Sequence, residues 1–423
     1  MRSFYARSVA LTLGVLCLAG SGQAQNWGAQ KTSYPVTQAS AIDTLWANEG
    51  VDVQPPAPPS KGDVISEDYK NAMQAPYEGC TTCDSGCGNG KYIFANALIM
   101  THDKRGGFVT SIDSTSGNPE LLFCQPEYGN LWHGGFEIGG GYCFNCGQNA
   151  IEASYWGLYP SEGTITARGD LDSMIDFADL DYDGGDGNAY YDGSRAHRVA
   201  FEQEFHSFEV NLLGNSCQGG PFGCGMCGCC SPYGCNARRL GFGWIAGLRY
   251  INFTEDWMFS CDTDETRFDN SRSELNYEVD LQNHLFGFQL GGGINYCVTQ
   301  RLTAYATSKF GIYGNQIDMR QEVYGRNGRV TINNGDFNGD RAVIEGSDTD
   351  LAFAGQFDLG GRYAINQSWS VNFGYRVLGL TGVAVTEDNV AQGNFQNVLG
   401  IADVQTGGSL LLHGGFAGLT YCW

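Results

Sequence analysis

Residues 409–423 read Ser409-Leu410-Leu411-Leu412-His413-Gly414-Gly415-Phe416-Ala417-Gly418-Leu419-Thr420-Tyr421-Cys422-Trp423. Leu411, His413, Gly415, Ala417, Leu419, Tyr421 and Trp423 share one side at a spacing of two. Successive side chains of a strand point to opposite faces, so this spacing predicts a strand with one apolar face. The same alternation recurs upstream. Trp369, Val371, Phe373, Tyr375 and Val377 oppose Ser370, Asn372, Gly374 and Arg376, and Phe136, Ile138, Gly140, Tyr142 and Phe144 oppose Glu137, Gly139, Gly141 and Cys143. The pattern predicts ten strands near 91–101, 133–145, 149–159, 198–213, 238–254, 283–298, 301–316, 351–365, 368–381 and 409–423. No Pro follows Pro232, which suits a continuous ladder, since Pro donates no hydrogen bond to it.

The connections alternate between short (146–148, 299–300, 366–367) and long (102–132, 160–197, 255–282, 317–350, 382–408). That rhythm is expected of a transmembrane β-barrel, with tight periplasmic turns and long external loops. Residues 214–237 break it, being long and Cys-rich where a turn is expected. No apolar run after residue 24 reaches the ~18 residues of a membrane-crossing helix. The fold expected is therefore all-β: an antiparallel up-and-down barrel of about ten strands, with eight to fourteen as the range. A secreted β-sandwich ending in Trp is the alternative.

Composition narrows the setting. The chain of 423 residues has 61 Gly, 16 Cys, 24 basic and 46 acidic residues, for a net charge of −22. Such a charge argues against nucleic acid as a partner, because phosphate binding needs cations. Arg2 and Arg7, the apolar stretch from Ser8 to Gly20 and the small residues Gly22 and Ala24 predict a signal peptide over 1–24. Residues 25–90, with Pro55-Pro56-Ala57-Pro58-Pro59, read as a periplasmic N-terminal segment, leaving 91–423 for the barrel. Export makes disulfides the preferred reading of the cysteines over metal sites. Cys80, Cys83, Cys87, Cys143, Cys146, Cys217, Cys224, Cys227, Cys229, Cys230, Cys235, Cys297 and Cys422 fall at the expected periplasmic end, and Cys124 and Cys261 fall in external loops and could pair.

A terminal aromatic after alternating apolar residues resembles the C-terminal strand signal of bacterial outer-membrane proteins. That resemblance implies outer-membrane lipid and the barrel-insertion machinery as partners, the latter through the strand ending at Trp423. Gly247-Leu248-Arg249-Tyr250, Gly291-Gly292-Gly293, Gly360-Gly361-Arg362-Tyr363 and Phe373-Gly374-Tyr375-Arg376 extend the likeness. With them the chain resembles the planctomycete outer-membrane β-barrel porins, the seventh family so numbered, over roughly 91–423. The family implies a porin-like role and carries no catalytic residues to this chain.

Charges at mid-depth belong inside a barrel, because Arg or Lys facing lipid there costs about 2–4 kcal/mol. The expected lumen lining is Glu137, Glu152, Glu202, Glu204, Asp358, Arg249, Lys309, Arg362 and Arg376. It reads either as a selectivity lining or as an ion-paired core that conducts little. Tyr142, Trp156, Tyr250, Trp257, Tyr296, Tyr313 and Trp423 lie near strand ends as girdle residues, although Trp156 falls on the expected lumen face. Two acidic loops suggest weak calcium sites: Asp179, Asp181 and Asp183, and the EF-hand-like spacing Asn334, Asp336, Asn338, Glu345. No cofactor is otherwise expected. Neither an HExxH spacing nor a Gly-x-Ser-x-Gly elbow is present, so a non-enzymatic outer-membrane protein is the expectation, either a passive channel or a structural one, alone or as a homo-oligomer. A disulfide-stabilised adhesive protein without a pore is the rival.

Overall fold

The computed structural model describes residues 90–102, 108–122, 132–145, 148–214, 240–264, 267–299, 301–366 and 368–423. The expected signal peptide and N-terminal segment lie outside them, as do Cys80, Cys83, Cys87, Cys124, Cys146, Cys217, Cys224, Cys227, Cys229, Cys230 and Cys235.

Ten strands form the wall: β1 (Lys91–His102), β2 (Trp132–Phe144), β3 (Asn149–Ser173), β4 (Ser194–Gly214), β5 (Leu240–Asp262), β6 (Glu274–Cys297), β7 (Leu302–Gly325), β8 (Val343–Ala364), β9 (Trp369–Val383) and β10 (Gly408–Cys422). Each pairs antiparallel with the next. The barrel closes where β1 pairs with β10, from Tyr92 opposite Cys422 to His102 opposite Leu412. Closure leaves no edge in that ring, so the backbone polar groups are satisfied within the wall. Lys91 and Trp423 exchange both backbone hydrogen bonds, at 2.9 and 3.0 Å, and fasten the seam.

Short connections 145–148, 298–301 and 365–368 define a turn end, and β1 begins there. At this end the strands start and stop within about two residues of the sequence reading. At the loop end, β3 to β8 run further than expected. Pairing of β3 with β4 continues to Leu171 opposite Ser194, past a register shift between Leu158 and Ser161 that accommodates Pro160. The wall is therefore taller on the β3–β8 side.

Outward positions near the turn end form an exposed apolar belt, including Ile93, Ile138, Leu248, Phe286, Phe288, Phe310, Leu359, Phe373 and Leu419. Tyr142, Tyr296 and Trp423 are exposed on it, as expected of girdle residues. Trp257 and Tyr313 are not girdle residues: each is about 1% exposed inside the barrel, as Trp156 is. Nothing lies on the outer side of the belt among the described residues. In water it would greatly exceed the few hundred Å² of contiguous apolar surface that soluble monomers usually expose.

Inside, side chains stack in layers. Tyr92, Cys143, Ala150, Leu213, Ile245 and Cys422 pack at the turn end. Next comes a charged layer. Beyond it Leu98, Met100, Trp156, Phe205, Phe253, Leu285, Leu380 and Leu412 belong to one apolar cluster across the bore. Above the cluster, the 384–407 connection folds into the bore. Asn283 on β6 holds Ala384 with both amide atoms, each bond 2.9 Å. Gln321 Nε2 donates to the Asn389 carbonyl, and the Ala391 N–H donates to Tyr277 Oη. At the loop end an aromatic core of Phe177, Tyr191, Tyr277, Phe259 and Phe395 roofs the tall wall.

Candidate functional site

The charged layer is the densest polar constellation in the barrel. Arg376 on β9 is 5% exposed and lies between two carboxylates. Its Nε donates to Asp358 Oδ1 at 2.9 Å, and its Nη2 donates to Glu137 Oε1 at 2.9 Å and to Asp358 Oδ2 at 3.2 Å. Arg249 on β5 pairs with Glu209 at 3.0 Å and donates to Ser207 and Gln356. Lys309 reaches the same Glu209 at 2.7 Å. Gln356 Nε2 joins the two groups by donating to Asp358. Asn96 donates to Glu137, Tyr92 to Glu152, and Arg362 to Asn372.

The indole of Trp156 packs where this layer meets the apolar one. Its ring lies 5.3 Å from the Arg376 guanidinium and 5.8 Å from that of Arg249, and it packs in a tilted arrangement against Phe205, with ring centroids 4.7 Å apart. Such contacts add cation–π attraction to the ion pairs. Within this layer the acids are Glu137, Glu152, Glu209 and Asp358, and the bases are Arg249, Lys309, Arg362 and Arg376. The two sets balance, so the layer has no sign with which to select ions. A cavity of about 120 Å³ remains within it, lined by Glu137, Glu152, Lys309, Asp358, Arg362 and Arg376, polar and roomy enough to hold water.

Seven of the nine expected lining residues thus face the bore: Glu137, Glu152, Arg249, Lys309, Asp358, Arg362 and Arg376. Glu202 and Glu204 do not. Inward positions on β4 are odd-numbered there, as buried Gln203, Phe205 and Ser207 show, so both carboxylates stand on the outer wall. They lie beyond the apolar belt, where a charge meets no lipid. Glu209 is the acid of this layer that the sequence reading missed; Glu255, buried further along the bore where it accepts from Gln203 and Thr386, is a second. The signal for Glu209 was present: Ser207, Glu209 and Asn211 alternate with Phe208, Val210 and Leu212.

On the outer wall above the belt, Glu202, Asp256 and Asp280 occupy one cross-strand row. Burial, then Asp280 and Glu202 beside it, push the Asp256 carboxyl up to about 8. Inside the roof His197 is fully buried. It bonds Ser111 Oγ at 2.7 Å through Nδ1 and the Tyr191 carbonyl at 2.8 Å through Nε2. Burial pushes its pKa down to about 4.

The calcium expectation is not met. Among the described residues no group of three or more His, Cys, Asp or Glu is placed to hold a metal ion. The two acidic loops instead bind each other: Thr331–Ile332 pairs with Asp181 and Leu180. Asp181 accepts from Asn333 through one carboxylate oxygen, and Asp183 from Asn327 through one of its own. Asp179 accepts through its carbonyl from the Asn333 N–H. Asn334 caps the turn containing Asp336 by accepting from the Gly335 N–H, Asn338 follows that turn, and Glu345 lies on β8 facing Arg320 at 3.9 Å.

The cysteines divide by end. Cys143, Cys297 and Cys422 lie at the turn end of β2, β6 and β10. Cys261 is on β5 rather than in a loop. It is buried and free, with its thiol directed at the Leu275 carbonyl; Cys124, with which it could pair, lies outside the described residues.

No family model matches the chain, and no curated protein does. Solved structures that resemble it include the outer membrane protease OmpT from Escherichia coli, at 12% identity and a TM-score of 0.36, covering 79% of this chain and 97% of that one. A major outer membrane protein from Thermus thermophilus is 10% identical, with a TM-score of 0.28 and coverage of 79% and 99%. The Pseudomonas putida toluene transporter TodX is 8% identical, with a TM-score of 0.27 and coverage of 79% and 89%. Likenesses at this level decide nothing about activity; the fold rests on the chain's own strand register.

Proposed function

We propose that the chain is a non-enzymatic structural protein of a bacterial outer membrane, exported by its signal peptide: a closed barrel that anchors an acidic roof on the external side. The observation that carries this reading is the filled bore. An ion-paired layer, an apolar cluster and the inserted 384–407 connection lie in series. A diffusion channel needs a continuous water path, and an apolar constriction opposes ions by dewetting. The apolar belt supplies the lipid-facing surface. The resemblance to planctomycete porins is retained for the barrel, with the conducting role set aside. The terminal strand ending at Trp423 is the element offered to the insertion machinery.

Disulfides at the periplasmic end belong to the same proposal. Cys143 and Cys422 lie in one buried cluster at that end, and Cys297 ends β6 beside the same turns, which supports it. The decisive measurement is current across a planar lipid bilayer containing the purified full chain. The expected trace stays at the bare-membrane level. Reproducible discrete steps would show that the bore conducts and would end the structural reading.

A further inference from the structure

Three histidines point outward around the barrel, each joined to a tyrosine on the neighbouring strand. Tyr155 Oη meets His206 Nδ1 at 2.7 Å, Tyr250 Oη meets His284 Nδ1 at 2.7 Å, and Tyr375 Oη meets His413 Nδ1 at 2.6 Å. The first pair is built closely. A Cβ on Gly157 would come within 2.7 Å of Tyr155 Oη and 2.9 Å of His206 Nδ1, so glycine alone leaves room for the contact.

The bonding fixes the imidazole tautomer at His284 and His206. At His284, Asn252 Nδ2 also approaches Nδ1, at 3.1 Å. An amide nitrogen can only donate, so Nδ1 is the acceptor and the ring proton of neutral His284 is on Nε2. His206 leads to the same tautomer from its other side: Nε2 lies 2.8 Å from Glu204 Oε1, an oxygen that accepts when ionised. In His206 the outward Nε2–H is thus satisfied by an anionic oxygen of the chain itself. His284 and His413 repeat the tyrosine contact without such an oxygen; no protein group bonds their Nε2 among the described residues. Both lie toward the loop-end margin of the apolar belt. His284 is one outward position beyond exposed Phe286, and His413 bonds Tyr375, itself an exposed belt residue.

We infer that His284 and His413 are binding sites for the phosphate oxygens of lipid headgroups, each presenting Nε2–H as a donor held ready by its tyrosine. The inference rests on the membrane reading above. Headgroup oxygens are the acceptors that adjoin a lipid-facing apolar surface, and Glu204 shows within this chain which oxygen chemistry the pair accepts. Tyr250 and Tyr375 are positioning residues, acting through the imidazoles.

The test uses the full chain, labelled with 15N-histidine, in vesicles of phosphatidylcholine and phosphatidylglycerol. Solid-state NMR reads dephasing of each imidazole Nε2 by lipid 31P. Dephasing is expected at His284 and His413, assigned by loss of one signal in each of His284→Gln and His413→Gln. It is not expected at His206, occupied by Glu204, or at His197 in the roof. Dephasing at only one of the two sites overturns the assignment of the other. Absence at both overturns the inference while leaving the membrane reading intact, provided brominated lipid quenches the outward tryptophans. Absence of that quenching overturns the membrane reading first. Equal dephasing by inorganic phosphate in detergent micelles overturns lipid as the source.

Discussion

Replacing Arg376 with Met distinguishes a closed bore from a wet one by magnitude alone. The guanidinium makes three hydrogen bonds of 2.9–3.2 Å to Glu137 and Asp358. In a water-filled lumen the charges would interact at a dielectric near 80, about 1 kcal/mol for a pair 4 Å apart; at an effective value of 20 the figure is about 4 kcal/mol. Exposed pairs measured by mutation give about 0–1 kcal/mol. Removing one partner of a buried pair costs about 3–5 kcal/mol, because the remaining charge is uncompensated. Here two carboxylates would be stranded, and Trp156 and Phe416 would lose the cation over their rings. The closed bore therefore predicts a loss of about 3–5 kcal/mol. The assay is equilibrium urea unfolding in lipid vesicles, followed by tryptophan fluorescence. Adding Glu137→Gln to Arg376→Met should recover part of the loss by neutralising one stranded acid. Salt supplies the second axis: raising it to about 1 M shortens the Debye length to ~3 Å and screens exposed pairs, leaving buried ones largely untouched. A loss below about 1 kcal/mol that salt abolishes would refute closure and restore the channel.

Three further outcomes follow from the same geometry. Trp156→Ala empties the junction of the charged and apolar layers and should cost about 3–5 kcal/mol in the same unfolding assay. His197 is held neutral, with its folded pKa below the unfolded value, so the unfolded chain binds more protons between about pH 6.5 and 4. Stability of the roof should fall by about 3 kcal/mol as pH drops through that window and change no further from this group below it, read as faster amide exchange in 188–197 and abolished in His197→Gln. Asp256 has the opposite sign. Its folded pKa near 8 means the folded chain holds the proton more tightly, so its penalty grows as pH rises from about 4 to 8. Asp256→Asn should remove that dependence and raise the alkaline melting temperature; an unchanged profile would show that Asp256 and Asp280 share no proton.

What the sequence revealed, and what it concealed, have one physical cause. In β5 the apolar residues begin on the outer face with Phe242, Trp244 and Leu248, then pass to the inner face with Phe253, Trp257 and Phe259. No residue is inserted; the solvent changes. Near the turn end the outer face meets the belt's apolar surroundings and the inner face holds Arg249, whereas above the belt the outer face meets water and the inner face meets the roof. A reading that keeps one greasy side per strand is right for the belt, which is why the ten strands and seven of the bore charges were legible. Carried past the girdle, the same rule sends Glu202 and Glu204 inward and Trp257 outward, both reversed in the structure. The point where alternation changes phase without a bulge is therefore informative in itself. On β5 it falls between Leu248 and Phe253, at the level of Tyr250 and its bond to His284. On β7 Phe310 and Ile312 face outward while Tyr313 and Ile317 face inward. Two strands separated in the chain thus mark one margin, and the margin is where the tyrosine–histidine pairs stand.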